Sequence, residues 1–182
     1  MAAKESGFEI VDHTADVAIR GWASSLEALF TSMAQGLFEV IGEDVNITAT
    51  QTRTLHLEAE TREELLHDWL ETLNALHQIH HELYTQFDIK IEANRLQATI
   101  RGGSLDQASN ALGTEVKAVT WHDLAVQDTP EGLNAYVLLD IDRFGYGPGI
   151  SGGTCGTMAN SSGVFVCVGD ITRLFRCTRS RE

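Results

Sequence analysis

The sequence predicts an α+β domain. Two stretches carry apolar residues at helical spacing, each opened by a capping box, and strand-like alternation stands before, between and after them. In chain order, Phe8, Ile10, Val17, Ile19 and Trp22 are apolar at mostly even spacing and read as strand, interrupted at Asp12-His13-Thr14-Ala15-Asp16-Val17. Ser24 with Glu27 three positions on predicts a helix start. Leu26, Leu29, Phe30, Met33, Leu37, Phe38 and Ile41 continue on one face until Gly42. Thr61 with Glu64 repeats the device. Leu65, Leu66, Trp69, Leu70, Leu73 and Leu76 then form a longer stripe ending near His80-His81. Strands are expected around Leu55–Glu58, Phe87–Ile91, Leu96–Ile100, Val116–Val119 and Asn134–Ile141. With 43% hydrophobic residues in 182, the chain has enough apolar surface for a real core.

Composition divides the chain in two. Residues 1–141 carry a net charge of −15 and all seven histidines, whereas 142–182 carry +2, all three cysteines and half of the glycines. We therefore expect a domain over 1–141 and an atypical, disordered extension over 142–182, in which Val164–Val168 is either an added strand or unpacked tail. Cys155, Cys167 and Cys177 are spaced too widely for a zinc or redox motif. A formal charge of −13 opposes direct contact with a phosphate backbone and favours a basic protein surface or a cation as partner. No apolar run approaches the ~20 residues of a membrane span, and Met1–Glu5 opens without a signal-peptide core, so the chain reads as cytoplasmic.

Three constellations could carry chemistry. In Asp12–Val17, two carboxylates and an imidazole are the donors that hold hard or borderline cations; on the hexapeptide alone, a turn through Asp12 and Thr14 capped by His13 is the favoured reading. Glu115–His122 combines a strand with Lys117, Trp121 and His122. Alternation puts Lys117 on the face of Val119, where it is either partly buried beside an acidic partner or solvated on an edge strand. The last strand ends in Asp140-Ile141-Asp142, a carboxylate just past an apolar run. His77, His80 and His81 share a helix face but read better as complements to the helix dipole than as metal ligands. The chain lacks a P-loop and a nucleophile elbow.

Taken in order, the hexapeptide at 12–17, Ser25–Phe30 with Ala34–Leu37, Leu65–Leu70, Glu115–His122 and Asp140-Ile141 resemble the archease family over roughly residues 8–141. The resemblance implies one strand-helix-strand-strand module inserted into another. It also implies a protein cofactor of the RtcB-type tRNA-splicing ligase, which joins RNA ends with GTP and manganese. The cofactor promotes guanylylation of the ligase histidine and multiple turnover, and is not itself an enzyme. Asp16 and Asp140, with main-chain oxygen from Ile141, would ligate a divalent cation: calcium as in characterised relatives, or else manganese or magnesium. His13, Lys117, His122 and Asp12 would stand near that site or contact the ligase. Members typically stop at the Asp-Ile pair, whereas here Asp142 and a further segment follow. Two other readings are a chaperone-like binding module for a tRNA-modifying methyltransferase, and a small metal-dependent hydrolase using Asp16, His13 and His122.

Overall fold

The computed structural model describes residues 5–12, 16–42, 47–104 and 114–143, all within the compact unit Met1–Phe144. His13 and the extension beyond Arg143 lie outside the described residues. Chain order is β1 (Gly7–Asp12), β2 (Asp16–Ala23), α1 (Leu26–Ile41), β3 (Gln51–Glu58), α2 (Arg62–His80), β4 (Glu82–Glu92), β5 (Arg95–Ser104), β6 (Thr114–Val119), β7 (Ala125–Thr129) and β8 (Gly132–Arg143). One antiparallel sheet has the order β1-β2-β8-β6, with β7 also paired to β8; the other is β3-β5-β4. The unit β3-α2-β4-β5 is thus a strand-helix-strand-strand module lodged between α1 and β6 of the outer one. The α+β expectation and the insertion hold, while the outer unit is larger than a strand-helix-strand-strand module, with β1 and β2 before α1 and β6, β7 and β8 after the insertion.

Both helices form for the reason their stripes suggest. Leu29, Phe30, Met33, Leu37 and Ile41 of α1 are buried, as are Leu65, Leu66, Trp69, Leu70 and Leu73 of α2. Each helix packs against strands of both sheets, so the two modules share one core. The indole Nε1 of Trp69 donates to the Phe30 carbonyl at 3.1 Å and ties the helices together. The first cap lies one residue later than expected: the Ser25 hydroxyl, not that of Ser24, accepts from the Ala28 amide at 3.2 Å. At α2 the Thr61 hydroxyl accepts from Glu64 N at 3.1 Å as anticipated, while the Glu64 carboxylate accepts from Glu60 N. His81 closes α2 in the left-handed region, φ 53°, with its amide donating to the His77 carbonyl.

One strand escaped the sequence pattern. β7 presents a single buried side chain, Val126, and so shows too little alternation to register. Its local signal is the turn Thr129-Pro130-Glu131-Gly132, where Gly132 takes φ 135° and Thr129 pairs with Gly132 around a two-residue loop.

A polar stripe on α2 covers the open edge left by β6 and β7, which lie end to end along β8. Glu63 accepts from Val126 N, Glu71 accepts from Val119 N, and His67 Nε2 lies 3.0 Å from the Val119 carbonyl, to which it donates. Asn74 Nδ2 and Gln78 Nε2 both donate to the Val116 carbonyl, at 3.0 and 2.8 Å. These five residues recur every three or four positions, so one helix face satisfies backbone groups that an exposed edge would leave open.

Candidate functional site

β2 starts at Asp16, and its register against β8 places Asp16 directly opposite Asp140. Directly opposed residues of an antiparallel pair share a face, and side chains alternate along a strand. Asp140 and Asp142 therefore point the same way, Glu115 joins them as the partner of Asp142, and Ile141 turns inward to the core. The result is a set of four carboxylates, Asp16, Asp140, Asp142 and Glu115, on one face at one end of the sheet. Asp140, Asp142 and Glu115 are exposed, and Asp16 is half-buried. Asp12 ends β1 opposite Val17, so its backbone stands at this same end.

Lys117 differs from the alternation expected of it. The β6–β8 register shifts between Val116 and Ala118, a bulge that lets Val116 and Val119 both face the core. Lys117 is thereby displaced outward, half-exposed, and its Nζ meets Asp142 Oδ2 at 2.7 Å. The hydrogen bond to Asp142 holds the Lys117 ammonium above its ordinary pKa. The field of Asp142, Asp140 and Glu115 adds to the shift, against a smaller opposing effect of desolvation. Lys117 is thus the cation already placed among the carboxylates. It is a surface pair, not the buried one that alternation allowed.

His122 is placed elsewhere. It lies four residues past Ala118, the residue level with Asp140, in the turn between β6 and β7, and its Nε2 is 3.3 Å from Asp123 Oδ2. Beside it the exposed Trp121 stacks on His67, with ring centroids 4.0 Å apart and planes at 14°. The C-terminal histidines of α2 do not gather either. His77 Nδ1 lies 3.0 Å from the Glu82 carbonyl, and burial, the largest influence on it, lowers its pKa despite that hydrogen bond.

The carboxylates at the strand end are the hard oxygen donors a divalent cation prefers, and two opposed negative charges repel until a cation stands between them. In kind, the donor set fits such an ion. Among the described residues no three His, Cys, Asp or Glu side chains converge on one point, so Asp16 and Asp140 supply a pair that main-chain oxygens would have to complete. Among the described residues, no helix is long and apolar enough to cross a membrane.

Comparison with known proteins matches the sequence and fold of the domain to a family. Residues 8–141 match the Archease protein family (MTH1598/TM1083). A protein archease from Pyrococcus abyssi is 36% identical over 129 residues, covering 69% of this chain and 91% of the relative. One from Methanothermobacter thermautotrophicus is 32% identical over 139 residues, covering 74% and 99%. The solution structure of Methanobacterium thermoautotrophicum protein 1598 superposes with a TM-score of 0.66 at 32% identity, over 74% of this chain and 98% of that one. With fold and sequence in agreement over the domain, the chain belongs to the archease family.

Proposed function

We propose that this chain is a protein cofactor of an RtcB-type RNA ligase. It promotes guanylylation of the ligase histidine and multiple turnover through a divalent cation held at Asp16 and Asp140, with main-chain oxygen from Ile141. Calcium is the cation of first choice, with manganese or magnesium as alternatives. The observation that carries this reading is the direct pairing of Asp16 with Asp140 at a sheet end that also gathers Asp142, Glu115 and Lys117. When bound, the cation would supply positive charge and open coordination positions. The chain's own residues fix where that charge stands: β2 and β8 set the two carboxylates, and the bulge in β6 aims Lys117 beside them. An acidic docking face also suits a ligase whose RNA-binding surface must be basic. The effect on the ligase is then differential binding, with the complex favouring the geometry in which GTP and histidine align.

The test is the yield of guanylylated ligase with and without added calcium, using the full chain and Asp16→Asn. Loss of a metal ligand is expected to reduce stimulation by at least about 10-fold with the thermal transition intact. Undiminished stimulation by Asp16→Asn would sink the reading. Complex formation that protects a methyltransferase, without cation and without ligase stimulation, would favour the chaperone reading instead.

A further inference from the structure

The turn after β6 carries a feature that the acidic strand end does not use. Trp121 is 58% exposed, the most exposed of the large hydrophobic side chains among the described residues. One ring face rests on His67, which is held in place by the Val119 carbonyl and by Asp68, 3.3 Å from Nδ1. The indole is therefore a fixed platform with its other face open, rather than a side chain left loose in solvent. Asp68 lies 3.3 Å from the His67 ring that backs the indole, and Asp123 stands two residues on in the same turn, 3.3 Å from His122. The nearby cations of α2 and β7 reduce to Arg62, which is committed to Asp128 at 3.2 Å.

We propose that this platform docks a basic segment of a partner protein, taking an arginine side chain on the open face of Trp121 with Asp68 and Asp123 beside it. A guanidinium stacks flat on indole and is attracted by the ring's negative face, and desolvating carboxylates around the stack add charge complementarity. Tryptophan backed by a rigid neighbour loses little conformational freedom on binding, as interface hot spots require. The chain's charge of −13 selects a basic partner over a nucleic acid, whose phosphates the same carboxylates would repel. The platform stands in the turn past the C-terminal end of β6 and rests on His67 of α2, which takes no part in the acidic strand end, so the proposal does not depend on the cation reading.

The experiment is fluorescence anisotropy of a labelled hexa-arginine peptide titrated with the full chain at low and moderate salt. Trp121→Leu, which keeps apolar surface but removes the ring, is expected to weaken binding by about 5-fold. Asp123→Asn is expected to weaken it as well, whereas Glu92→Gln, an equal charge change at the exposed end of β4, leaves it unchanged. A hexa-lysine peptide should bind less tightly and depend less on Trp121. Equal affinities for wild type and Trp121→Leu, or equal losses for Asp123→Asn and Glu92→Gln, would show that the peptide reads net charge alone and overturn the proposal. Trp121-dependent binding of a labelled oligouridine, or a Trp121-dependent dimer in sedimentation, would overturn it in favour of base stacking or self-association. Because Asp16→Asn leaves this surface intact, it should not alter peptide binding, which keeps failure here distinct from failure of the ligase reading.

Discussion

Replacing Trp69 by alanine is expected to lower the free energy of unfolding by about 4 kcal/mol, read as a fall in the urea midpoint at unchanged slope. Trp69 is fully buried in the middle of α2, packs edge-on to Phe87 with centroids 6.2 Å apart, and hydrogen-bonds to the Phe30 carbonyl of α1. Its removal opens a cavity where both modules meet. The surrounding elements are two sheets and two helices already fixed by their own hydrogen bonds, so little collapse is available to refill it. The lost polar contact matters less, because a carbonyl inside α1 retains its helical partner. Trp69→Phe isolates that smaller effect and should cost about 1 to 2 kcal/mol. A domain of this size has roughly 5–15 kcal/mol in total, so the alanine variant sits near its limit at physiological temperature. If Trp69→Ala cost no more than the phenylalanine variant, the two modules would not share the core that α1 and α2 appose.

The helices were legible because the apolar period marks residues that are buried, although α1, packed against strands of both sheets, also buries Ser32, Ala34 and Gly36 and so is covered beyond the one face its stripe suggests. The family resemblance was legible because its residues recur in order at strand ends and helix starts. What alternation could not show was the bulge at Lys117, since one extra residue moves Lys117 outward while Val116 and Val119 both stay inward. The first cap was displaced for a similar reason. Ser24 and Ser25 are both competent hydroxyls, and only backbone geometry chooses between them. Only the family resemblance paired residues 16 and 140; local alternation could not, because a cross-strand register is fixed by non-local pairing. The edge-covering role of Glu63, His67, Glu71, Asn74 and Gln78 was present as a helical period, but among polar residues such a period reads as a solvated face until the strand edge beside it is known. The β8 ladder also runs two residues beyond Ile141, with Asp142 and Arg143 opposite Glu115 and Thr114, so the change in composition at residue 142 and the end of the sheet are not the same boundary.

Arg53→Met is expected to destabilise the protein by about 3 kcal/mol at neutral pH, with most of that deficit disappearing in acid. Arg53 on β3 reaches across β5 to Glu82 on β4, with Nε 2.9 Å from Oε2 and Nη2 3.0 Å from Oε1, a two-pronged pair that the Tyr84 hydroxyl also joins. Beside this pair β5 and β4 approach so closely at Gly102 that a Cβ there would overlap the Leu83 carbonyl oxygen. Burial by itself would raise the Glu82 pKa, but the hydrogen bonds from Arg53 and Tyr84 outweigh it and leave the carboxyl below its ordinary value. The same network lifts the Tyr84 hydroxyl, first through burial and then through its bond to Glu82. Because the folded pKa of Glu82 is depressed, its stabilising contribution is present above the unfolded value of 4.5 and is lost as pH falls through the lower folded value. Removing Arg53 reverses the sign. Glu82 is then a nearly buried carboxylate without its cation, its pKa rises above the unfolded value, and protonation in acid relieves the penalty. Urea titrations from pH 7 down to about pH 3 should therefore show the wild-type and Arg53→Met curves converging. The double variant Arg53→Met with Glu82→Gln should recover much of the loss at pH 7, since it leaves no unpaired charge behind. A deficit that stayed constant with pH would mean that Arg53 acts through the packing of its aliphatic stem and not through Glu82.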